Sequence, residues 1–308
     1  MTSRRTFLEG ALAAAAGAAM PPLARPAFAA EAARIVPVTD ELAMVTGAGG
    51  NVLVRATDTG QVLVDSGAAE FSGALLAALG KLPGAGRVRT LFNTHWHLDQ
   101  VGSNEAIGRA GAPIVAHAKT RAHLATDYYV PDDERYEKAL PKAAQPSETF
   151  YTEGEKTIDG ERIEYGYLIQ AHTDGDAYVF FRDANVCAVG GAISPAQDPE
   201  LDWFGGGWLG GRVDSLATLL EASDADTRFV PSFGPAVGRS AVQAEHDLML
   251  ELFERMVDLI RKGDGPEDML AAGVMRDLPR TFDDPAKFVY AAEKGLWAHH
   301  NTLTPDIV

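Results

Sequence analysis

Three histidines and an aspartate carry the first chemical suggestion in this sequence. The segment Asn93-Thr94-His95-Trp96-His97-Leu98-Asp99-Gln100-Val101-Gly102 places imidazoles at i and i+2 and a carboxylate at i+4, directly after an apolar run, residues 87–92, that reads as a strand. On a strand-to-helix loop these side chains can converge on one point, and imidazole and carboxylate are suitable zinc ligands. A loop at the C-terminal edge of a strand is also where α/β folds place their sites. His172, in Ala171-His172-Thr173-Asp174-Gly175-Asp176, follows a second strand-like run and joins the candidate set. The remaining histidines read as structural: His117 ends a strand, His123 and His246 lie on helical patterns, and His299-His300 sit near the C-terminus. Ser194 lacks the strand-turn-helix setting of a nucleophilic serine.

These side chains need elements to hold them. Short β-rich runs at residues 34–38, 43–46, 51–55 and 62–65 are separated by Gly and Asp-Thr-Gly punctuation, as in hairpins. Helical spacing follows at 71–79, 103–109 and 120–126, with strands at 87–92 and 113–116 between them. Residues 127–148 are polar, with several aromatics, and read as a lid or insertion, although those aromatics could equally pack on the helices. A second β-rich block spans 148–189; a helix at 213–220, a short strand at 228–231, a helix at 249–260 and a helical tail at 283–300 follow, so 240–308 reads as C-terminal helices. Two β-rich halves, each followed by helices, are compatible with two packed sheets covered by helices, and pattern alone admits other α/β layouts.

Four motifs in order then point to a family. His95-x-His97-x-Asp99 resembles the signature of the metallo-β-lactamase superfamily, which includes lactamases, thioesterases and lactonases. Val62-Leu63-Val64-Asp65-Ser66-Gly67 is similar to its upstream strand motif, His172-Thr173-Asp174-Gly175-Asp176 to its second histidine motif, and Pro231-Ser232-Phe233-Gly234-Pro235 to a late strand-end motif that normally carries histidine. The resemblance implies one α/β (α+β) domain over residues 31–308, an αββα sandwich with a metal site at one edge between the sheets. It also implies that His95, His97 and His172 hold a first metal and that Asp99 belongs to a second. The sequence departs from the pattern at the other second-metal positions: Gln100, Gly191 and Phe233 stand where the family places histidine, aspartate and histidine.

One zinc and no second metal is the resulting expectation, with Asp99 orienting water or taking its proton. The alternative is a non-catalytic binding or partner protein that kept the fold and lost the chemistry. The loop Asp202-Trp203-Phe204-Gly205-Gly206-Gly207-Trp208 could form an aromatic wall over the pocket through Trp203, Phe204 and Trp208, or pack as a shield on the sheet edge.

Composition bounds the rest. The chain has 308 residues, 46% hydrophobic and 23% charged, which is ordinary for a globular domain. A formal net charge of −16 without a basic stripe disfavours nucleic acid as a partner and leaves a small molecule, or another protein, as the candidate. Cys187 is the single cysteine, so no intramolecular disulfide can form. At the N-terminus, Arg4-Arg5, an apolar block at 11–20 and Ala27-Phe28-Ala29 have the layout of a cleaved twin-arginine signal peptide over residues 1–30, which implies a periplasmic protein. That block is shorter than the roughly 18 residues a permanent span requires.

Overall fold

Residues 33–130 and 134–299 are described in a computed structural model of the chain. The expected signal segment, residues 1–30, lies outside them, as does the tail beyond 299. Among the described residues no helix is long and apolar enough to cross a membrane.

The strands are, in chain order, β1 (Arg34–Pro37), β2 (Leu42–Ala48), β3 (Gly50–Thr57), β4 (Gly60–Val64), β5 (Val88–Phe92), β6 (Ile114–His117), β7 (Tyr128–Val130), β8 (Arg135–Glu137), β9 (Glu148–Phe150), β10 (Glu153–Ile158), β11 (Glu161–Tyr167), β12 (Ala177–Phe181), β13 (Val186–Gly190), β14 (Arg228–Pro231) and β15 (Val237–Gly238). The helices are α1 (Ser72–Leu79), α2 (Leu98–Val101), α3 (Asn104–Arg109), α4 (Ala118–Leu124), α5 (Leu209–Glu221), α6 (Arg239–Ile260), α7 (Pro266–Ala271) and α8 (Pro285–Ala298). One sheet runs β1-β2-β3-β4-β5-β6-β9, antiparallel up to β4 and parallel after it; the other runs β10-β11-β12-β13-β14-β15.

Three apolar clusters show how the layers stack. Leu53, Val62, Val64, Phe92 and Val115 from the first sheet meet Ile163, Val179, Phe181, Ala188 and Val230 from the second, the core between the sheets. Val52, Val54, Leu63 and Leu91 face the other way, onto Leu75, Leu79 and Ile107 of α1 and α3. The outer face of the second sheet, with Phe180, Cys187 and Phe229, is covered by Leu216, Met249, Leu252, Met256, Val289 and Leu296 from α5, α6 and α8. Alternation along β3 and β4 supplies both faces, since successive side chains of a strand point to opposite sides. The result is the helix-sheet-sheet-helix sandwich expected from the motifs.

Two element readings change. The stretch 127–148 divides: β7 and β8 form a small hairpin, whereas Lys142–Ala144 is a 3₁₀ turn packed on α3, where Asn104 donates to the Ala144 carbonyl at 3.0 Å, and β9 then joins the sheet. The helix expected at 249–260 starts ten residues earlier, at Arg239, because its first turns are polar and hide the apolar stripe.

Candidate metal centre

The loop after β5 is held from both sides by the Asp65-Ser66-Gly67 turn that ends β4. Asp65, itself at φ 63°, accepts hydrogen bonds from the Thr94 backbone N–H at 2.8 Å and its hydroxyl at 2.7 Å. Ser66 N–H donates to the Gln100 carbonyl at 2.7 Å, and Gly102 N–H donates to the Gly67 carbonyl at 2.6 Å. Asp65 thus organises the backbone of the neighbouring histidine loop. Its burial pushes the carboxyl up to about 7 against the two Thr94 hydrogen bonds. His172 is held in a similar way: Asp176 accepts from the backbone N–H of His172 at 2.5 Å and of Thr173 at 2.9 Å.

The structure brings His95, His97 and His172 together. Their ligand nitrogens lie within 4.8 Å of one another, and the rings stand edge to face with centroids 4.7 to 4.9 Å apart. Each ring has its outer nitrogen engaged. His95 Nδ1 lies 3.1 Å from the Thr94 hydroxyl, His97 Nε2 lies 2.9 Å from Asp202 Oδ2, and His172 Nδ1 donates to the Glu200 carbonyl at 2.9 Å. These contacts fix the tautomers and leave His95 Nε2, His97 Nδ1 and His172 Nε2 for a shared ion, the arrangement usual for metal-binding histidines. The last two already face each other at 3.0 Å. The donor set fits one zinc ion.

Asp202 was not singled out as a site residue in the sequence. It stands 105 residues from His97, and only folding of the Gly-rich loop brings the two together. Its backbone N–H also donates to the His172 carbonyl at 2.9 Å, so one residue braces two of the three histidines. Gly207 is required in this loop because a Cβ there would sit 2.0 Å from the His172 carbonyl oxygen.

Burial disfavours a charged His97, but the hydrogen bond to Asp202 and the charges of Asp202, Glu200 and Asp99 outweigh it, raising the imidazole to about 9. Asp202 is held below the usual carboxylate range despite its burial, chiefly by that same hydrogen bond. His95 is driven well below the ordinary imidazole value by burial and its two neighbours. The metal-free site therefore carries a proton on His97 at neutral pH that an incoming ion must displace. Zinc uptake near pH 7.5 is expected to release about one proton, and apparent affinity to rise about tenfold per pH unit until pH passes about 9. Calorimetric titration in buffers of different ionisation heat measures this; zinc uptake without proton release contradicts it.

A narrow pocket of about 20 Å³ opens on the three histidines and is lined further by Asp99, Gly191, Ile193, Ser194, Gln197, Glu200, Ser232 and Phe233. Asp99 reaches it, and its Oδ1 is buried without a partner. The Gln100 side chain is fully buried against Gly50, with neither amide atom hydrogen-bonded. At Gly191 a Cβ would lie 2.3 Å from the His172 ring. An aspartate there would displace the histidine rather than complete a second ligand set. Gly191→Asp is expected to cut bound zinc to less than half the parent's; a rise in elemental analysis would refute this packing argument.

The aromatic loop divides. Trp203 and Phe204 are ring neighbours at 5.7 Å, and Phe204 meets Tyr129 of the β7–β8 hairpin at 6.3 Å on the surface. Trp208 is not part of that wall. It is 9% exposed in the helical core and stacks on His299 at 4.4 Å. His117 caps α4 and stacks on Tyr167, and His123 pairs with Asp174, consistent with structural roles.

A search of curated protein sequences returned no match. Solved structures similar in fold include a metallo-beta-lactamase from Pontibacter korlensis, 22% identical, with a TM-score of 0.57 over 71% of this chain and 99% of that one. The DIM-1 metallo-beta-lactamase is 17% identical, also with a TM-score of 0.57, over 71% of this chain and 97% of that one. A stereoselective inverting sec-alkylsulfatase, Pisa1 from Pseudomonas sp., is 15% identical, with a TM-score of 0.61 over 88% of this chain and 51% of that one. At these identities the likeness speaks to the fold. The profile of the metallo-beta-lactamase superfamily matches residues 45–232, more than half of the chain, and with the sandwich and the histidine loops in place the chain belongs to that superfamily.

Proposed function

We propose that the chain is an exported, periplasmic hydrolase that holds one zinc ion on His95, His97 and His172 and cleaves a small ester, thioester, lactone or activated amide. The observation that carries this reading is the engaged outer nitrogen on each of the three histidines, a second layer that serves metal ligation. The ion would supply Lewis acidity near neutral pH. Asp202 keeps His97 turned inward. Asp99, a lining residue with a buried unpartnered oxygen, would orient a water molecule and take its proton. Ile193 and Phe233 add apolar surface to the lining. A second metal is disfavoured because Gly191 and Phe233 offer no lone pair, and the Gln100 amide is packed against Gly50. Without a second ion to steady it, the leaving group must be a good one. The paired arginines and cleavage pattern at the N-terminus support export through the twin-arginine route.

A non-catalytic binding protein is the second reading, favoured by the pocket's small volume, about that of one water molecule. A turnover screen of esters, thioesters, lactones, amides and phosphodiesters, run on zinc-loaded parent and His97→Ala, separates them. Turnover of the first classes, lost in the variant, is the expected result. Activity confined to phosphodiesters contradicts the proposal, and zinc without turnover favours the binding protein.

A further inference from the structure

Apart from its histidines, the pocket is lined by two charged residues, Asp99 and Glu200, and no lysine or arginine lines it among the described residues. Asp202 adds a third carboxylate behind His97. The arginines that approach the same loop are committed beneath it. Arg212, fully buried, pairs with Glu245 at 2.6 Å and donates to the Gly191 carbonyl at 2.9 Å and the Ser194 hydroxyl at 2.9 Å. Arg280 donates to the carbonyls of Ser194 and Gln197. Lys287, exposed on α8, is felt at Glu200 but does not enter the lining. Glu200, a lining residue, engages its backbone carbonyl with His172, and its carboxylate lies near enough to His97 for its charge to act on that ring.

One of these carboxylates and one further oxygen point the same way. Asp99 Oδ1 and Ser232 Oγ are buried without a hydrogen-bond partner, and both residues line the pocket. Ser232 is 4% exposed. Buried polar atoms left unpaired call for a partner, and a guest rich in N–H groups would supply one. A divalent ion on the histidines would face Asp99 and Glu200, with Asp202 behind His97, so much of its charge is offset when a substrate arrives.

Resting on the reading of this pocket as a substrate site, we infer that it selects substrates bearing an ammonium group over those bearing a carboxylate, with Glu200 as the specificity-determining residue. An anionic guest finds no lysine or arginine in the lining and meets two carboxylates; a cation meets those carboxylates at short range, where a single charge changes binding severalfold or more.

The test uses three hydroxamic acids of equal length, ending in ammonium, methyl or carboxylate, titrated calorimetrically into the zinc-loaded protein. The ammonium probe is expected to bind about tenfold tighter than the methyl probe and the carboxylate probe about tenfold weaker. Glu200→Gln should reduce the ammonium-to-carboxylate ratio by about fivefold or more, and Lys287→Ala should enlarge it. Tighter binding of the carboxylate probe, equal binding of all three, no binding by any of them, or an unchanged ratio in Glu200→Gln overturns the inference. Ester turnover is scored separately. Probes that bind in the expected order to a protein without turnover leave charge selection standing and remove the hydrolase reading. Turnover of a neutral ester alongside tighter carboxylate binding does the reverse.

Discussion

Replacing His172 with alanine is expected to lower zinc affinity by more than about a hundredfold and to take hydrolysis to background while the fold persists. The ring provides one of three clustered donors, and losing a ligand should exceed the 10–100-fold typical of losing an outer hydrogen bond. Competition with a chromophoric chelator measures the affinity, and circular dichroism checks the fold. Asp202→Asn provides the graded comparison. It keeps the size of the side chain but removes its charge, so it should lower the His97 pKa from its raised value and, compared above about pH 9 where no proton competes, weaken zinc within that smaller range. Equal zinc affinity in the parent and His172→Ala would mean that the histidine cluster is not the metal site.

Arg212→Met carries the largest expected cost to stability. The guanidinium is fully buried between α5 and α6 and satisfies the Glu245 carboxylate. Glu245 in turn accepts the Ser194 backbone N–H at 2.9 Å. Removing one partner leaves a buried charge uncompensated, a loss of about 3–5 kcal/mol, whereas Arg212→Met with Glu245→Leu should recover much of it. Urea unfolding of the single and double variants measures the difference. Zinc should weaken in both, because Arg212 also holds the Gly191 carbonyl at 2.9 Å and the Glu200 carbonyl at 3.4 Å, the second of which orients His172. Stability recovered in the double variant with zinc affinity still reduced would separate the two roles. Parent-like zinc affinity there would deny Arg212 its positioning role.

The ligand histidines were legible because the spacing of His95 and His97 after a strand, and of His172 after another, is local information. The Asp65-Ser66-Gly67 motif was legible, but the grip of Asp65 on Thr94 was not, since parallel pairing of β4 with β5 sets that contact. Asp202, Arg212 and Glu245 escaped for a related reason. Each acts across long stretches of chain, and a lone Asp in a Gly-rich loop, or an Arg and a Glu on separate helices, has no periodic signature. Trp208 was left open between an aromatic wall and a packed shield, because its glycine neighbours carry no packing signal in sequence. The glycines instead make room for the indole: a Cβ at Gly210 would lie 2.4 Å from the Trp208 ring, and one at Gly211 2.7 Å from its Nε1. Those same glycines concealed the start of α5 at Leu209, because helix propensity is poor there and packing overrides it.

The most direct test of the account is the metal content of the purified protein, by elemental analysis after dialysis against trace zinc, beside His97→Ala treated in parallel. About one zinc per chain in the parent, lost in the variant, is the predicted result. Two zinc ions per chain would contradict the argument from Gln100, Gly191 and Phe233, and none after refolding with excess zinc would contradict the metal centre itself.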